Sequence, residues 1–438
     1  MRYRLGLRQG KSKMTKRENV LSALNHERPE WTPIDFGGTG QTGMNASVVY
    51  RLRKLLGLED RPIRIIEPLQ MLGEIDAELA DWMDVDVVGL YGPTTLFGSP
   101  YAGETTPWEM PDGTPVLMPG RFAHVTYEDG STAIYPQDNT SVEPSGFMPS
   151  GGSFFDPINR VPPMDEIDVE SRNPREDFST NFGVYSESVI DYFREESLKL
   201  RSESDKAIIF AFGGGGFGDA GVLPGPFELH PKGVRRFEDW MMAHYLYPDY
   251  IKGVITAQKE VALQNLLLLK EAIGENIDVI NISGTDFGSQ AGLLISPEHF
   301  REFYKEPFAE LNGWVHENTS WKTHFHCCGS IRPIIQDFID CGVDILNPVQ
   351  WTAKDMDLKE LKEEFGKQLV FWGGGIDTQK TLPFGTPEQV ANEVEHTLSI
   401  AAKDGGYVFS SIHNVLSNTS AENANAMIKS FRKHRFKV

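Results

Sequence analysis

The segment 322–328, KTHFHCC, is the densest group of metal-binding side chains in the sequence. Side chains of an extended strand alternate between its two faces, so His324, His326 and Cys328 are expected to point to the same side. Zinc binds imidazole and thiolate groups, and a catalytic zinc site needs three protein ligands and an open position. His326 and Cys328 are therefore predicted to bind zinc. A buried histidine beside two small core cysteines is the alternative interpretation.

A third metal ligand has to come from a different part of the chain, and His413 is the best-placed candidate. It follows the predicted strand 407–412, just as Cys328 ends a predicted strand. Cys341 follows an apolar helical stretch and is expected to pack in the core instead. The predicted metal site therefore consists of one cysteine and two histidines.

Polar side chains also follow other predicted strands. Asp286 and Gln290 come after the run 278–283, and Asn347 lies near the end of the run 343–349. Each of them alone is more typical of a loop or turn. At the ends of the parallel strands of a barrel, however, they would face one shared mouth, where active sites are built. These three side chains are the candidate catalytic residues, predicted to orient a substrate by hydrogen bonds.

Eight short β-rich runs recur along the chain, and most are followed by a helical pattern. Strands that alternate with helices are typical of a parallel α/β fold. Eight such units predict a (β/α)8 TIM barrel, with an open doubly wound sheet as the alternative. Helix starts are predicted at Ser296, at Thr386 with Gln389, and at Thr419 with Glu422, where a hydroxyl can cap the first turn. The predicted strands are 32–37, 85–90, 207–212, 278–283, 322–328, 343–349, 369–374 and 407–412.

Two segments depart from this strand and helix pattern. The run 213–218, GGGGFG, has the spacing of a dinucleotide-binding motif, but prolines follow it and no helix opens directly, so an active-site loop is predicted instead. Residues 92–165 are rich in proline and glycine and suit β-hairpins. We expect them to form an insertion after the second strand, as a lid or a structural brace. The chain is predicted to be one barrel domain, 14–438, after a disordered lead-in at residues 1–13.

The overall composition narrows the class of partner. A formal net charge of −20 argues against nucleic acid, whose binding depends on lysines and arginines that neutralise phosphates. No run of apolar residues is long enough to span a membrane. The N-terminal residues lack the apolar stretch of a secretion signal, and the three cysteines lie too close together in sequence for a disulfide framework. A cytoplasmic location is therefore expected.

Four stretches resemble the uroporphyrinogen decarboxylase superfamily, and specifically its zinc-dependent, corrinoid-linked methyltransferase branch. The resemblance covers nearly the whole chain apart from 92–165. It implies a (β/α)8 barrel, and it also implies a homodimer, since members of this superfamily are often dimeric. The matching stretches are 15–24, 326–350, 373–390 and 405–427.

The methyltransferase branch carries a zinc motif, H-x-C followed much later by a cysteine. His326 and Cys328 match its first two ligands, and His413 stands where the family has its cysteine. Exchanging a thiolate for a neutral imidazole leaves zinc more positive and a stronger Lewis acid. The exchange favours activation of an ether or alcohol oxygen over activation of a thiol.

The resemblance implies transfer of a methyl group between a small methylated substrate, expected to be methoxylated, and a corrinoid. The corrinoid would belong to a partner protein, because this sequence shows no corrinoid-binding module. Three alternatives remain: a thiol methyltransferase that uses methyl-corrinoid, a metal-free porphyrinogen decarboxylase, and a non-catalytic binding protein. The decarboxylase is disfavoured because its arginine-bearing N-terminal motif is missing from 32–38.

Overall fold

The computed structural model describes residues 14–180 and 182–436, and the predicted lead-in at 1–13 lies outside them. The strands are β1 (Ile63–Glu67), β2 (Leu72–Gly73), β3 (Val87–Leu90), β4 (Thr105–Glu109), β5 (Pro115–Pro119), β6 (His124–Thr126), β7 (Thr132–Ile134), β8 (Gly146–Met148), β9 (Asp156–Pro157), β10 (Ala207–Phe210), β11 (Val279–Ser283), β12 (Lys322–His326), β13 (Ile345–Asn347), β14 (Val370–Trp372) and β15 (Tyr407–Val408).

Helices cover the parallel strands and connect them. None of the helices in the described ranges combines the length and the apolar character needed to cross a bilayer. The helices are α1 (Lys16–Leu24), α2 (Ala46–Leu56), α3 (Ala77–Met83), α4 (Pro174–Asp177), α5 (Glu187–Glu203), α6 (Phe237–Leu246), α7 (Pro248–Ile273), α8 (Pro297–Phe300), α9 (Glu306–Asn318), α10 (Arg332–Asp340), α11 (Leu358–Phe365), α12 (Thr381–Phe384), α13 (Pro387–Ala401) and α14 (Ala421–His434).

Seven strands form one parallel sheet in the order β15-β14-β13-β12-β11-β10-β3. Each strand lies beside the next one along the chain, apart from the excursion between β3 and β10. Every residue of β10 and of β11 is buried, as expected when helices cover one face of a parallel sheet and a packed interior covers the other. The parallel α/β part of the sequence prediction is therefore confirmed.

The predicted strand 32–37 is reduced to a short bridge that joins the two edges of this sheet. Ile34 forms a parallel bridge with Phe409, directly after β15. On its other side, the carbonyl of Ile34 accepts a hydrogen bond from the backbone N–H of Asp86, directly before β3, at 2.9 Å. Pro33 has no N–H group to donate to a ladder, which helps to explain why no longer strand forms. The sheet thereby curls into a barrel-like shape.

Antiparallel hairpins occupy much of the segment 92–165. β4 pairs with β5, and β6 to β9 form a second antiparallel sheet. β5 also pairs in parallel with β1, a strand that the sequence pattern did not indicate. The rings of Trp108 and Phe122, 5.3 Å apart between centroids, each pack against Phe155. These aromatic rings fill the inside of the insertion, which favours a bracing role for them.

Two of the three predicted helix caps are present as expected. The hydroxyl of Ser296 accepts a hydrogen bond from the first turn of α8, and Thr386 forms a capping box at α13. The prediction for the last helix was wrong by one residue. Ser420, and not Thr419, caps α14 by accepting a hydrogen bond from the Asn423 N–H. The backbone N–H of Thr419 instead donates to the Leu416 carbonyl in the preceding turn.

Candidate metal centre at the ends of the parallel strands

His326 ends β12 beside Asn347, which ends β13. The two residues are register partners in the parallel pairing, so their side chains lie next to each other on the same face. Nδ1 of His326 lies 2.6 Å from Oδ1 of Asn347, and the Asn347 amide nitrogen donates to the Trp372 carbonyl at 2.9 Å. An amide oxygen only accepts, so Nδ1 carries the imidazole proton. Nε2 of His326 is therefore left with a lone pair that can bind a metal ion.

Cys328 and His413 approach this free nitrogen. Sγ of Cys328 lies 3.4 Å from Nε2 of His326, and the rings of His326 and His413 lie 5.4 Å apart between centroids. One ligand atom from each of the three residues lies within 4.8 Å of the others. At tetrahedral angles, bonds of about 2.0–2.3 Å from zinc to nitrogen and sulfur place two ligand atoms about 3.3–3.6 Å apart. The three ligand atoms are therefore close to the spacing of a shared ion.

The charge states of the three side chains also fit a divalent cation. Burial lowers the pKa of His326 to about 4 and that of His413 to about 4, so both imidazoles are in the neutral form that binds metals. Burial, together with the negative charge of Asp286, raises the pKa of the Cys328 thiol well above its usual range. A bound cation is the group that would stabilise the thiolate here. Two imidazoles and one thiolate form a donor set that suits zinc.

Asp286 holds the loop that carries the thiol. Its Oδ1 accepts a hydrogen bond from the backbone N–H of Cys328 at 2.6 Å and lies 3.9 Å from Nε2 of His326. Burial raises the pKa of Asp286, while the Cys328 N–H and the nearby His413 lower it. These distances place the Asp286 carboxyl beside the candidate ligands, as expected for a residue at the mouth of the barrel.

The backbone turns sharply directly after Cys328. Gly329 has a φ of +92°, and a Cβ at this position would lie 2.4 Å from the carbonyl carbon of Gly288. Only glycine tolerates both this φ and this close approach. The N–H of Gly329 donates to Oε1 of Gln350 at 2.6 Å, so the turn has a fixed partner on the neighbouring strand end. The position of the thiol is thus set by the backbone on both sides.

The other candidate residues lie in different environments. Asn347 is 1% exposed, and both ends of its amide are engaged, so it is better placed to orient His326 than to bind a substrate. Gln290 is solvent-exposed, and its backbone carbonyl accepts a hydrogen bond from the Lys354 N–H. His324 lies deeper in the sheet, beside the Asn281 side chain, and does not join the cluster. A substrate-binding role for Gln290 stays a prediction.

Asp219 is a polar residue of this region that the sequence reasoning missed. It follows the glycine run 213–218, where Gly218 has a φ of +71° and a Cβ would lie 2.3 Å from Nε1 of Trp240. The run therefore packs tightly against the helix layer and presents Asp219 near the end of β11. Sequence reasoning could have found Asp219 because it directly follows a strand and a glycine-rich turn.

A second loop, residues 37–43, is fixed from two sides. Asp35 accepts hydrogen bonds from Nε1 of Trp372 and from the N–H of Gly38, each at 2.9 Å. Burial raises the pKa of this carboxyl to about 6. At the other end of the loop, Oδ1 of Asn414 accepts from the Gly43 N–H at 2.6 Å. This loop is therefore tied to Asn414, the residue that directly follows His413.

Comparisons with known proteins agree with this architecture. A methyltransferase from Methanosarcina mazei is similar in fold, with a TM-score of 0.53 over 96% of this chain and 99% of that chain, at 18% sequence identity. Among curated protein sequences, none matches this chain. The family model for uroporphyrinogen decarboxylase (URO-D) matches residues 205–434, which is more than half of the chain. The chain therefore belongs to the uroporphyrinogen decarboxylase family.

Proposed function

We propose that this protein is a zinc-dependent methyltransferase that moves a methyl group between a small methoxylated substrate and the corrinoid of a partner protein. The observation that carries the proposal is the convergence of His326, Cys328 and His413, with ligand atoms within 4.8 Å of one another. Family membership and the fold shared with a methyltransferase support it.

The zinc would be held by His326, Cys328 and His413, and neighbouring residues would fix the positions of these ligands. Zinc would supply Lewis-acid activation of the oxygen that leaves the methyl group. Asn347 keeps the proton of His326 on Nδ1 through its 2.6 Å hydrogen bond, so that Nε2 faces the ion site. Asp286 holds the Cys328 backbone through a hydrogen bond of 2.6 Å. Such outer contacts fix the orientation and basicity of metal ligands.

The choice between an oxygen and a sulfur substrate depends on the third ligand. His413 contributes a neutral imidazole, because its pKa is lowered to about 4. Two imidazoles and one thiolate leave more positive charge on zinc than one imidazole and two thiolates would. We therefore favour demethylation of a methoxyl group over methylation of a thiol.

A porphyrinogen decarboxylase is the second candidate, because the family model carries that description. Its substrate bears several carboxylates, which require cationic partners. The strand ends present the carboxyl groups of Asp219 and Asp286, and burial together with the charge of Asp286 raises the pKa of Asp219. This acidic environment disfavours a polycarboxylate and argues for the methyltransferase.

The proposal is tested by metal analysis and a methyl-transfer assay on the same preparations. Wild-type protein is expected to contain one zinc per chain and to form methylcobalamin from free cob(I)alamin and a methoxylated aromatic compound. His326→Ala and Cys328→Ala are expected to lose both the metal and the activity. Cys341→Ala is the matched cysteine control, since Cys341 is buried beside the Lys305 carbonyl and away from the cluster.

Decarboxylation of a porphyrinogen by metal-free wild-type protein would contradict the proposal. Full metal content and activity in both His326→Ala and Cys328→Ala would also contradict it, because the catalytic ion would then lie elsewhere.

A further inference from the structure

Asp219 holds its carboxyl group over the end of β11, the strand next to β12. Its Oδ2 lies 3.0 Å from the position that a Cβ on Gly284 would occupy, and Gly284 directly follows β11. In the pairing of β11 with β12, Ser283 is the register partner of Phe325. The next residues, Gly284 and His326, therefore lie side by side, about 4.8 Å apart as neighbouring strands are. The carboxyl group of Asp219 thus lies about one strand spacing from the strand end that carries a candidate metal ligand.

A proton on this carboxyl group is expected on Oδ2. The Gly221 N–H donates to Oδ1 at 2.8 Å, and a hydrogen bond of this kind stabilises the unprotonated oxygen. Nε2 of Gln41, on the loop 37–43, faces the same position beside Gly284 at 3.4 Å. An amide nitrogen only donates hydrogen bonds. While Asp219 is protonated, an oxygen atom of a ligand in this space would therefore meet donors from two loops.

The surroundings of Asp219 keep its proton bound near neutral pH. Burial, and after it the negative charge of Asp286, raises the pKa of Asp219 to about 7. Asp286 acts from the loop after β11, Gln41 approaches without a charge, and Glu67 lies against the loop of Gln41 with its own pKa raised by burial to about 7. Asp219 is partly exposed, so it can regain a proton from solvent. A general acid works best when its pKa lies near the working pH.

The proposed reaction needs a proton donor at the oxygen that leaves. A phenol has a pKa of about 10, as the tyrosine side chain does, so a phenolate released at neutral pH is a basic leaving group. Protonation of that oxygen in the transition state typically accelerates such a step by about 10²- to 10⁴-fold. The carboxyl group of Asp286 already holds the Cys328 N–H at 2.6 Å and so has a structural task. Asp219 is the neighbouring carboxyl group with an oxygen directed over the strand end.

We propose that Asp219 is the general acid of the reaction and protonates the oxygen that leaves the methyl group. The bond between the methyl carbon and this oxygen breaks, its electron pair stays on the oxygen, and the oxygen takes the proton from Oδ2. The new bond to the methyl carbon uses an electron pair of the corrinoid's Co(I), which becomes Co(III). The Asp219 carboxylate then takes up a proton from solvent, and Gln41 donates a hydrogen bond from Nε2 to the same oxygen. This inference rests on the proposed function.

The first test compares leaving groups of different basicity. The substrates are 4-methoxybenzonitrile, anisole and 4-methylanisole, in order of increasing basicity of the phenolate, assayed with zinc-loaded protein and free cob(I)alamin. Asp219→Asn is expected to lower kcat/KM for 4-methylanisole by about 100-fold or more. The loss should be clearly smaller for 4-methoxybenzonitrile, because a weakly basic phenolate leaves without a proton. An equal loss for all three substrates is the result of a merely structural role and would contradict the acid.

The pH dependence gives a second readout. In wild type, kcat/KM for 4-methylanisole should fall by about tenfold per pH unit above pH 7, as Asp219 loses its proton. Asp219→Asn should lack this decrease. Asp165→Asn, which changes an exposed aspartate on a short 3-10 helix, is the control and should keep the wild-type profile. Circular dichroism and zinc content show whether Asp219→Asn folds, and Asp219→Ser, which also removes the carboxyl group, replaces it if it does not.

NMR of the aspartate carboxyl carbons separates this inference from the proposed function, because it needs no turnover. In zinc-loaded protein labelled with carbon-13 at these carbons, the signal of Asp219 is identified by its absence from Asp219→Asn. The product 4-methylphenol should shift this signal, because its oxygen lies against Oδ2. Absence of methyl transfer from every substrate would contradict the methyltransferase, while a shifted signal would still support the contact of Asp219 with the phenol. An unshifted signal, or a wild-type profile without the decrease above pH 7, would overturn the assignment of Asp219.

Discussion

Asn347 and His326 end neighbouring parallel strands and form a hydrogen bond of 2.6 Å between Oδ1 and Nδ1. This contact orients the imidazole so that Nε2 faces Sγ of Cys328 at 3.4 Å. A contact of this kind typically changes metal affinity by about 10- to 100-fold. Asn347→Leu is therefore expected to weaken zinc binding by about this factor in a chelator competition assay.

Two further variants sharpen that prediction. Asn347→Asp keeps an acceptor toward Nδ1 and should retain most of the zinc affinity. Gln290→Leu, in the exposed loop after β11, is the control and should bind zinc like wild type. Wild-type affinity in Asn347→Leu would show that the hydrogen bond does not orient a ligand.

Replacement of His413 by cysteine tests the role of the third ligand. His413→Cys should keep the zinc, because a thiolate is also a good ligand. It should lower activity toward methoxyl groups and raise thiol methylation, because a second thiolate reduces the positive charge on the metal. The ratio of the two activities, measured with methylcobalamin and a small thiol against a methoxylated aromatic compound, reports the change. An unchanged ratio would contradict the Lewis-acid argument.

The buried carboxyl of Asp35 should make stability depend on pH. Its pKa is raised by burial from 3.8 to about 6, so between these values the folded state keeps a proton that the unfolded state releases. The free energy of unfolding therefore falls as pH rises through this window, by at most about 1.4 kcal/mol per pH unit, and is level above it. Asp35→Asn lacks this titration. The difference between wild type and Asp35→Asn in urea unfolding should thus grow in favour of the variant from pH 4 to pH 6.

That difference should stay constant between pH 7 and pH 8. A difference that is the same at pH 4 and pH 7, or one that changes in the opposite direction, would contradict the assignment of a raised pKa to Asp35.

The cap of α14 gives a test of the fold near the candidate site. Ser420→Ala removes the oxygen that accepts from the Asn423 N–H and should lower the free energy of unfolding by about 1 kcal/mol. Ser420→Thr keeps a capping oxygen and should cost clearly less in the same urea titration. Equal losses in the two variants would mean that the hydroxyl does not stabilise the helix.

The sequence predicted the parts of the site that follow from local pattern. The expected approach of Cys328 to His326 is present, although β12 ends at His326 and Cys328 lies in the loop after it, and His413 follows the last strand as expected. The role of Asn347 was outside the reach of such reasoning, because it depends on the register between β12 and β13. The register between two strands is set by packing between elements, so it cannot be inferred from the sequence of one strand.

The fold, like the site, could be predicted from the sequence only in part. Seven of the eight predicted strands form the parallel sheet, while 32–37 keeps a single bridge beside Pro33. β1 was missed because its parallel partner, β5, lies in the insertion, and a pairing between distant segments cannot be inferred from either segment alone. The cap at Ser420 was misplaced by one residue because Thr419 has the same capping chemistry, and only the backbone turn decides between them.

The most direct measurement is X-ray absorption spectroscopy at the zinc edge on the zinc-loaded protein. The proposed site predicts one sulfur ligand, from Cys328, two imidazole nitrogens, from His326 and His413, and one exchangeable light-atom ligand. His413→Cys should raise the sulfur count to two. A spectrum without sulfur, or one that is the same in wild type and in Cys328→Ala, would contradict the metal site on which the proposed function depends.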